Sequence, residues 1–470
     1  AGTDANKDGV VDLDSLGSPA TAKNCVTVGA SENNRPELTY TWGSGWPSDF
    51  PTNPVHDDKM ADNIAGLAAF SSRGPVDDYR YKPDVVAPGS FIASVRSSMA
   101  TGTGWGVIDT NYMYMGGTSM STPLVAGAAA IVRQFYTDVK GYNTPSAALI
   151  KATLINGATD IYPGQYGTGA TQEIPATRPT NVAGWGRVNI QNSIFPTAPR
   201  AMVYVDQTTG LGTAASDVYN YQITSSAAPF RVTVVWTDYP GSPMSDGALV
   251  NDLDLTITGP GGTIYYPNKA LNSDGSPSAT HDRVNNVQGI DIASPATGMY
   301  TVTVNGFHVP HGPQPYALVA SGIFNVANTA PTLASLPDLT LGLGESRDNA
   351  IDLWQYTYDV LDNDADLTFS ITNAPPADAG VSLDSNRYID INPTSGFTGT
   401  VPVEVQVMDT GGLTDTDTFI ITFRDVENFR VYLPVVIRRY PPLPYTPTLS
   451  AIENSDGDGN YPVSWSAADL

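Results

Sequence analysis

The sequence predicts an α/β unit followed by all-β modules, and three observations predict it. Up to about residue 195, short apolar runs bounded by Gly and Pro alternate with two helical segments. Beyond about residue 198 the helical period is lost, and strand-length runs rich in Val, Ile, Thr and Tyr recur between turns of Gly, Pro and Asn. Gly (44) and Pro (37) make up about a sixth of the 470 residues, a composition that favours turns and short strands over long helices.

In chain order, Cys25-Val-Thr-Val-Gly-Ala30 and Asp84-Val-Val-Ala87 read as short buried strands, with Cys25 a core thiol at the head of the first. Ser121 to Tyr136 reads as a helix with hydroxyl residues and Pro123 at its start. Thr144 to Gly157 reads as a second, with Thr144 as N-cap, Pro145 in the first turn and Gly157 at the stop. Alternation of strand and helix points to a mainly parallel sheet over residues 1–197. Phe230–Trp236, Leu253–Thr258 and Tyr300–Val304 predict a β-sandwich or jelly roll over 198–325. Val403–Met408 and Thr418–Phe423 close a further all-β sandwich of the Ig/cadherin-like kind over 326–425. Pro441-Pro-Leu-Pro444 stiffens a proline-rich linker over 426–446, and 447–470 reads as the start of a fibronectin-like β domain. The chain opens Ala1-Gly2-Thr3 and closes in strand-like sequence, so both ends read as cut from a longer parent.

Acidic residues (47) outnumber basic ones (23), giving a net charge of −24 that phosphate backbones would repel. Nucleic acid is therefore an unfavourable partner. A single cysteine excludes an intrachain disulfide and a cysteine-rich metal centre. No run of about 18 apolar residues occurs, so no helical membrane span is predicted.

The strongest local chemical signal is Gly116-Gly-Thr-Ser-Met-Ser-Thr-Pro123. A serine at a helix start lies among free N–H groups and the positive end of the dipole, which favour a developing negative charge. Adjacent glycines let a substrate backbone approach. An N-capped buried helix with no catalytic role is the alternative that composition alone leaves open.

Gly117 to Pro123 resembles the nucleophile motif of the subtilisin-like serine proteases, the subtilases. Val26–Ala30 resembles the core strand after that family's oxyanion asparagine, Phe70–Gly74 and Lys82–Gly89 its strand and turn before the nucleophile, and Gly184–Asn189 the end of its catalytic domain. Leu249–Leu255 and Arg283–Val287 extend the likeness to large alkaline subtilases with a β jelly roll behind the protease, so that it covers about residues 1–325.

The resemblance implies that residues 1–197 are the C-terminal part of a subtilisin-like catalytic domain and that Ser119 is the nucleophile of a serine endopeptidase acting on proteins or peptides. It makes Ser121 and Thr122 helix-start residues. A serine needs a base to take its proton. None of the four histidines, His56, His281, His308 and His311, lies in the family's histidine context, and His56 reads as a surface residue of a polar loop. The base, its aspartate and the oxyanion asparagine are expected upstream, and the 470-residue chain alone is expected not to hydrolyse peptides.

Asp4, Asn6, Asp8 and Asp12 alternate around Gly9 as in a calcium loop, although Ser15 stands where a bidentate carboxylate is expected; a solvated acidic turn is the other reading. The family's use of structural calcium adds to the metal reading. Asp238, Asp252 and Asp254 in the jelly roll, Asp362–Asp366, and Asp456–Gly459 are weaker acidic candidates. The sequence thus reads as a secreted endopeptidase whose β modules brace it or tether it to a surface or polymer. An adhesion protein with a vestigial protease domain is the alternative.

Overall fold

The computed structural model describes residues 1–424 except 141, 143, 243–246, 269–270, 273, 327–329, 360–361 and 363. The linker 426–446, the segment 447–470 and Asp456–Gly459 lie outside the described residues.

Two consecutive parallel strands, β1 (Val28–Ser31) and β2 (Val85–Pro88), form the centre of the first unit, and Val86 makes a further parallel bridge to Arg187. The one-turn helix α1 (Trp42–Gly45) lies in the loop between them. Strands β3 (Ile92–Val95), β4 (Gly106–Val107) and β5 (Tyr112–Met115) add an antiparallel sheet in the order β3-β5-β4. In place of the expected mainly parallel sheet, the described residues hold one parallel pair, extended by the Val86–Arg187 bridge, beside a separate antiparallel three-stranded sheet.

Helix α2 (Thr118–Gln134) starts three residues before the expected Ser121, and a π-helical turn, Phe135–Val139, continues it. Helix α3 (Ala147–Gly157) is capped by Ser146, not Thr144. The Ser146 hydroxyl accepts from Leu149 N at 3.0 Å, and Asp206, far along the chain, accepts both the Ser146 amide (2.8 Å) and its hydroxyl (2.6 Å). The short α4 (Ile190–Ile194) closes the unit.

Cys25 also departs from expectation: it is exposed. Pairing begins only at Val28, because the Asp84 carboxylate takes the Thr27 amide at 2.7 Å and the Thr27 carbonyl accepts from Asp84 N at 2.8 Å. Residues 25–27 are thus held outside the ladder.

Strands β6 (Ala201–Leu211), β7 (Ser216–Ile223), β8 (Phe230–Val235), β9 (Asp252–Thr258), β10 (Ile264–Tyr265), β11 (Val287–Ile292), β12 (Gly298–His308), β13 (Gln314–Gly322) and β14 (Phe324–Val326) make a two-sheet sandwich. One sheet runs β10-β9-β12-β7-β14 and the other β11-β8-β13-β6, with antiparallel pairs throughout. Period-2 alternation aims Leu253, Leu255 and Ile257 of β9 and Tyr300, Val302 and Val304 of β12 into the core between the sheets. The outer side of β8 and β13, with Val235, Ala317 and Val319, packs on Leu149, Ala152 and Ile155 of α3 in one cluster with Val85 and Val125. The α/β unit and the sandwich therefore share a core, with α3 as its middle layer.

The last described unit has its own core, centred on Val401, Val403, Val405, Phe419 and Ile421. Its strands are β15 (Thr332–Leu333), β16 (Leu339–Leu341), β17 (Arg347–Asp352), β18 (Thr357–Tyr358), β19 (Thr368–Ile371), β20 (Val381–Asp384), β21 (Tyr388–Ile391), β22 (Gly399–Met408) and β23 (Thr414–Phe423). They form sheets β16-β23-β22-β19, β17-β21-β20 and β15-β18, with β16 parallel to β23.

Candidate active site

Ser119 is the second residue of α2 and is exposed. The chain enters the helix through Gly117 at φ 140°, a conformation costly for any residue with a Cβ. Gly117 N–H donates to Gly89 O at 2.8 Å, and Gly89 N–H to Ser31 O at 2.9 Å. The turn before Ser119 is thereby tied to the C-terminal ends of β2 and β1, the end of a parallel pair where ligands bind in α/β folds. A Cβ on Gly116 would collide with the Trp105 ring, so that glycine is needed for close packing.

In the first turn of α2 the Met120 amide donates to Gly117 O at 2.9 Å, which leaves the Thr118 and Ser119 amides as the helix-start donors that could meet a developing negative charge. Ser121 is fully buried, and the exposed Thr122 turns its hydroxyl back onto its own helix, donating to Thr118 O at 2.9 Å.

No histidine is hydrogen-bonded to Ser119 among the described residues. His56 Nδ1 lies 2.7 Å from Asp57 Oδ1, with its side chain about 39% exposed. His281 bonds Asn272 Oδ1 at 2.9 Å. His311 stacks on Tyr239 at 4.0 Å, and His308 is exposed at the end of β12.

Behind the nucleophile turn lies a group of buried carboxylates that the sequence did not single out. Glu32 follows β1 directly; its Oε1 accepts from Trp42 Nε1 (3.3 Å) and Gln165 Nε2 (3.1 Å). Gln165 Nε2 also reaches Asp58 Oδ2 (2.9 Å), which accepts the Tyr166 hydroxyl at 2.9 Å. Glu173 accepts from Leu67 N (3.0 Å) and Gln165 N (3.2 Å). Burial pushes the Glu32 carboxyl well above its usual range, with Asp58 beside it adding repulsion; burial likewise takes Asp58 to about 6 and Glu173 to about 7. Nothing short-range in the sequence pairs Glu32 with Gln165, 133 residues away.

In the 4–12 loop, Asp4 is buried, and its two oxygens accept from Asp8 N (2.9 Å) and Gly9 N (3.2 Å). Asp12 accepts from Ala5 N (2.7 Å), Asp8 from Val10 N (2.9 Å), and Asn6 Oδ1 from Asp8 N (3.1 Å). Gly9 has φ 83°, and a Cβ there would strike the Asn53 carbonyl. The four side chains offer oxygen donors, the chemistry a hard cation prefers. Among the described residues no group of three or more His, Cys, Asp or Glu is placed to hold a metal ion.

The three jelly-roll acids do not share one site. Asp238 pairs with Lys23 at 2.6 Å and accepts from Val250 N and Asn251 N, while Asp252 and Asp254 pair with Arg283. Asp238 is thus held apart by Lys23, whereas Asp252 and Asp254 share Arg283, and Asp252 Oδ1 is buried without a hydrogen-bond partner. Asp362 accepts from the Thr410 amide at 2.9 Å, and Asp364 is buried.

Residues 2–186 match the subtilase family, and residues 328–422 match the bacterial Ig domain. The chain is 30% identical over 338 residues to the serine protease/ABC transporter B family protein tagB of Dictyostelium discoideum, in an alignment covering 57% of this chain and 17% of that protein. It is 33% identical over 171 residues to the serine protease AprX of Bacillus subtilis (strain 168), covering 34% of this chain and 31% of that one. It is 29% identical over 175 residues to the PII-type proteinase of Lacticaseibacillus paracasei, covering 32% and 8%. The chain spans 17%, 31% and 8% of the lengths of these three relatives. No helix among the described residues is long and apolar enough to cross a membrane.

Proposed function

Residues 2–186 of this chain belong to the subtilase family, and from that premise we propose that the protein is a serine endopeptidase in which Ser119 is the nucleophile and the base is supplied from outside these 470 residues. The observation that carries the reading is the placement of Ser119: exposed in the first turn of α2, which the chain enters through the positive-φ Gly117, with no histidine bonded to it among the described residues. Ser119 Oγ attacks a peptide carbonyl while its proton passes to a histidine. That proton then goes to the leaving amine as the acyl-enzyme forms. The Ser119 amide is one donor to the oxyanion, and an asparagine upstream is the other.

A second feature supports a covering segment. Flanking the buried stripe of Ser121, Val125, Ala128 and Val132, Leu124 is 45% and Ile131 48% exposed, two apolar side chains one above the other that a further segment could cover. Casein hydrolysis tests the reading. The chain alone is expected to show none, and a longer protein carrying the preceding segment is expected to hydrolyse casein and to lose at least about 10³-fold in rate with Ser119→Ala. Hydrolysis by the chain alone that Ser119→Ala abolishes would contradict the external base. A longer protein with no activity would favour the adhesion reading.

Calcium in the 4–12 loop belongs to the same proposal, as a structural ion held by Asp4, Asn6, Asp8 and Asp12. Oxygen donors at alternate positions and the positive φ of Gly9 support it. An ion bound only by the folded state raises the unfolding temperature. Millimolar calcium is expected to do so here, and Asp8→Ala to remove the rise. Secretion, and tethering to a surface or polymer through the Ig-like module, complete the proposal.

A further inference from the structure

Where the α/β unit meets the sandwich, a cleft of about 520 Å³ opens between residues 160–185 and strands β8, β10 and β11. That volume falls in the range of small-molecule sites, about 300–1,000 Å³. Neither unit forms the cleft alone. Its floor is Trp185, over which Arg178 Cζ lies at 5.6 Å from the ring, and Gly289 of β11 has no side chain because a Cβ there would enter that ring. Tyr265 and Tyr266 form part of its wall.

The charges around this cleft do not balance. Arg178 is satisfied: Nε and Nη2 grip Asp291 at 2.5 and 3.0 Å, and Nη1 donates to the carbonyls of Ile155, Ala158 and Trp185. Arg231 approaches the same carboxylate with Nε only to 3.6 Å, beyond hydrogen-bond reach, and that buried Nε has no hydrogen-bond partner. Its Nη1 donates to Asn156 O and Ala158 O at 3.4 and 3.2 Å. Arg200 stands near Arg178 and Asp291, and its Nε is also without a partner. Asp160, the other acid lining the cleft, already accepts from Tyr162 N and Arg178 N. Arg178 and Arg231 line the cleft with Asp160 and Asp291, and Arg200 close by brings a third guanidinium to the Asp291 group, in a molecule of net charge −24. Burial, with Arg178 adding repulsion, lowers the Arg231 guanidinium to about 10. The Arg231 guanidinium thus lines the cavity with only a loose ion pair to Asp291 and a bare Nε, and its planar fork matches a carboxylate.

We propose that this interdomain cleft binds a small carboxylate ligand, its anionic end on Arg231 and its apolar or aromatic body between Tyr265, Tyr266 and Trp185. A peptide with a free C-terminus and a free aromatic acid share this chemistry. The site is separate from Ser119, so the proposal stands whether or not the peptidase reading does.

Titration of the 470-residue chain, followed by calorimetry, uses a tripeptide ending in phenylalanine, N-acetylphenylalanine, the C-terminal amide of each, and inorganic phosphate. The acids are expected to bind at least about tenfold more tightly than their amides, the loss of one charge-assisted contact. A peptide acid tighter than N-acetylphenylalanine assigns the peptide source, and the reverse assigns the free acid. Arg231→Gln should weaken the acids to the level of the amides. Tyr266→Ala, at the rim and 36% exposed, should weaken acid and amide alike with the fold intact. If Arg231→Gln fails to fold, the acid-to-amide ratio on the unaltered chain and the Tyr266→Ala result decide. Acids and amides binding equally, no binding of either, phosphate binding more tightly than the acids, or an unchanged affinity in Tyr266→Ala would each overturn the proposal.

Discussion

At the scale of single residues, buried charge is managed in two opposite ways. Asp84 is buried, which by itself raises its carboxyl, but Lys151 and Lys82 outweigh this and hold it below the usual range, with ion pairs at 2.9 and 2.6 Å. A carboxylate lowered on folding contributes stability above its unfolded value of about 3.9, lost as pH falls through the folded value. Asp84→Asn leaves two buried ammonium groups without their counter-ion and is expected to cost about 3–5 kcal/mol at neutral pH, read from the urea midpoint. Glu173 goes the other way. Burial raises it to about 7 against the pull of Arg73. Its contribution is fully present below about 4.3, the unfolded value, and is lost as pH rises through about 7. The urea midpoint should therefore fall between pH 5 and 7.5, and Glu173→Gln should flatten that fall. An equal slope in the variant would show that Glu173 is not its source. The Ser119 motif was legible because all its parts are contiguous. The Glu32–Asp58–Glu173 group was not, because folding alone brings those residues together.

At the scale of elements, α3 links the α/β unit to the sandwich. Its face of Leu149, Ala152 and Ile155 lies in the shared core, and Asn156, 1% exposed, donates to Val319 O at 3.0 Å and accepts the Ser321 hydroxyl at 2.6 Å. Asp206 of β6 holds the other end through Ser146. Asp206→Ala is expected to lower stability by about 1–2 kcal/mol, the range for losing a helix cap; a change confined to the Ig-like unit would contradict the coupling. Local pattern identified α3 and most sandwich strands, since apolar period and Gly/Pro punctuation are local. It misplaced the cap at Thr144 because the choice of Ser146 is made by a carboxylate 60 residues downstream. It misjudged Cys25 because the ladder's start is set by Asp84, 57 residues away from Thr27.

At the scale of the molecule, the sandwich core and the core it shares with the α/β unit make one folding unit within residues 1–424, and the separate core of the Ig-like module makes another. Calorimetry of residues 1–326 should give one transition, residues 328–424 should fold alone, and residues 1–197 should not, since removing the sandwich exposes the α3 face. Independent folding of 1–197 would contradict the shared core. The change from helical to strand period near residue 198 is a local feature of the sequence. The fusion across it was not legible, because strands β8 and β13 are buried on both faces and carry no mark of which neighbour covers the second. Ser119 is proposed as a nucleophile awaiting a base from another segment. A serine-directed fluorophosphonate, with the labelled peptide mapped by mass spectrometry, tests it most directly. The account predicts no labelling of the 470-residue chain and stoichiometric labelling of Ser119 in the longer protein. Labelling of Ser119 in the chain alone, or of another serine in the longer protein, would contradict it.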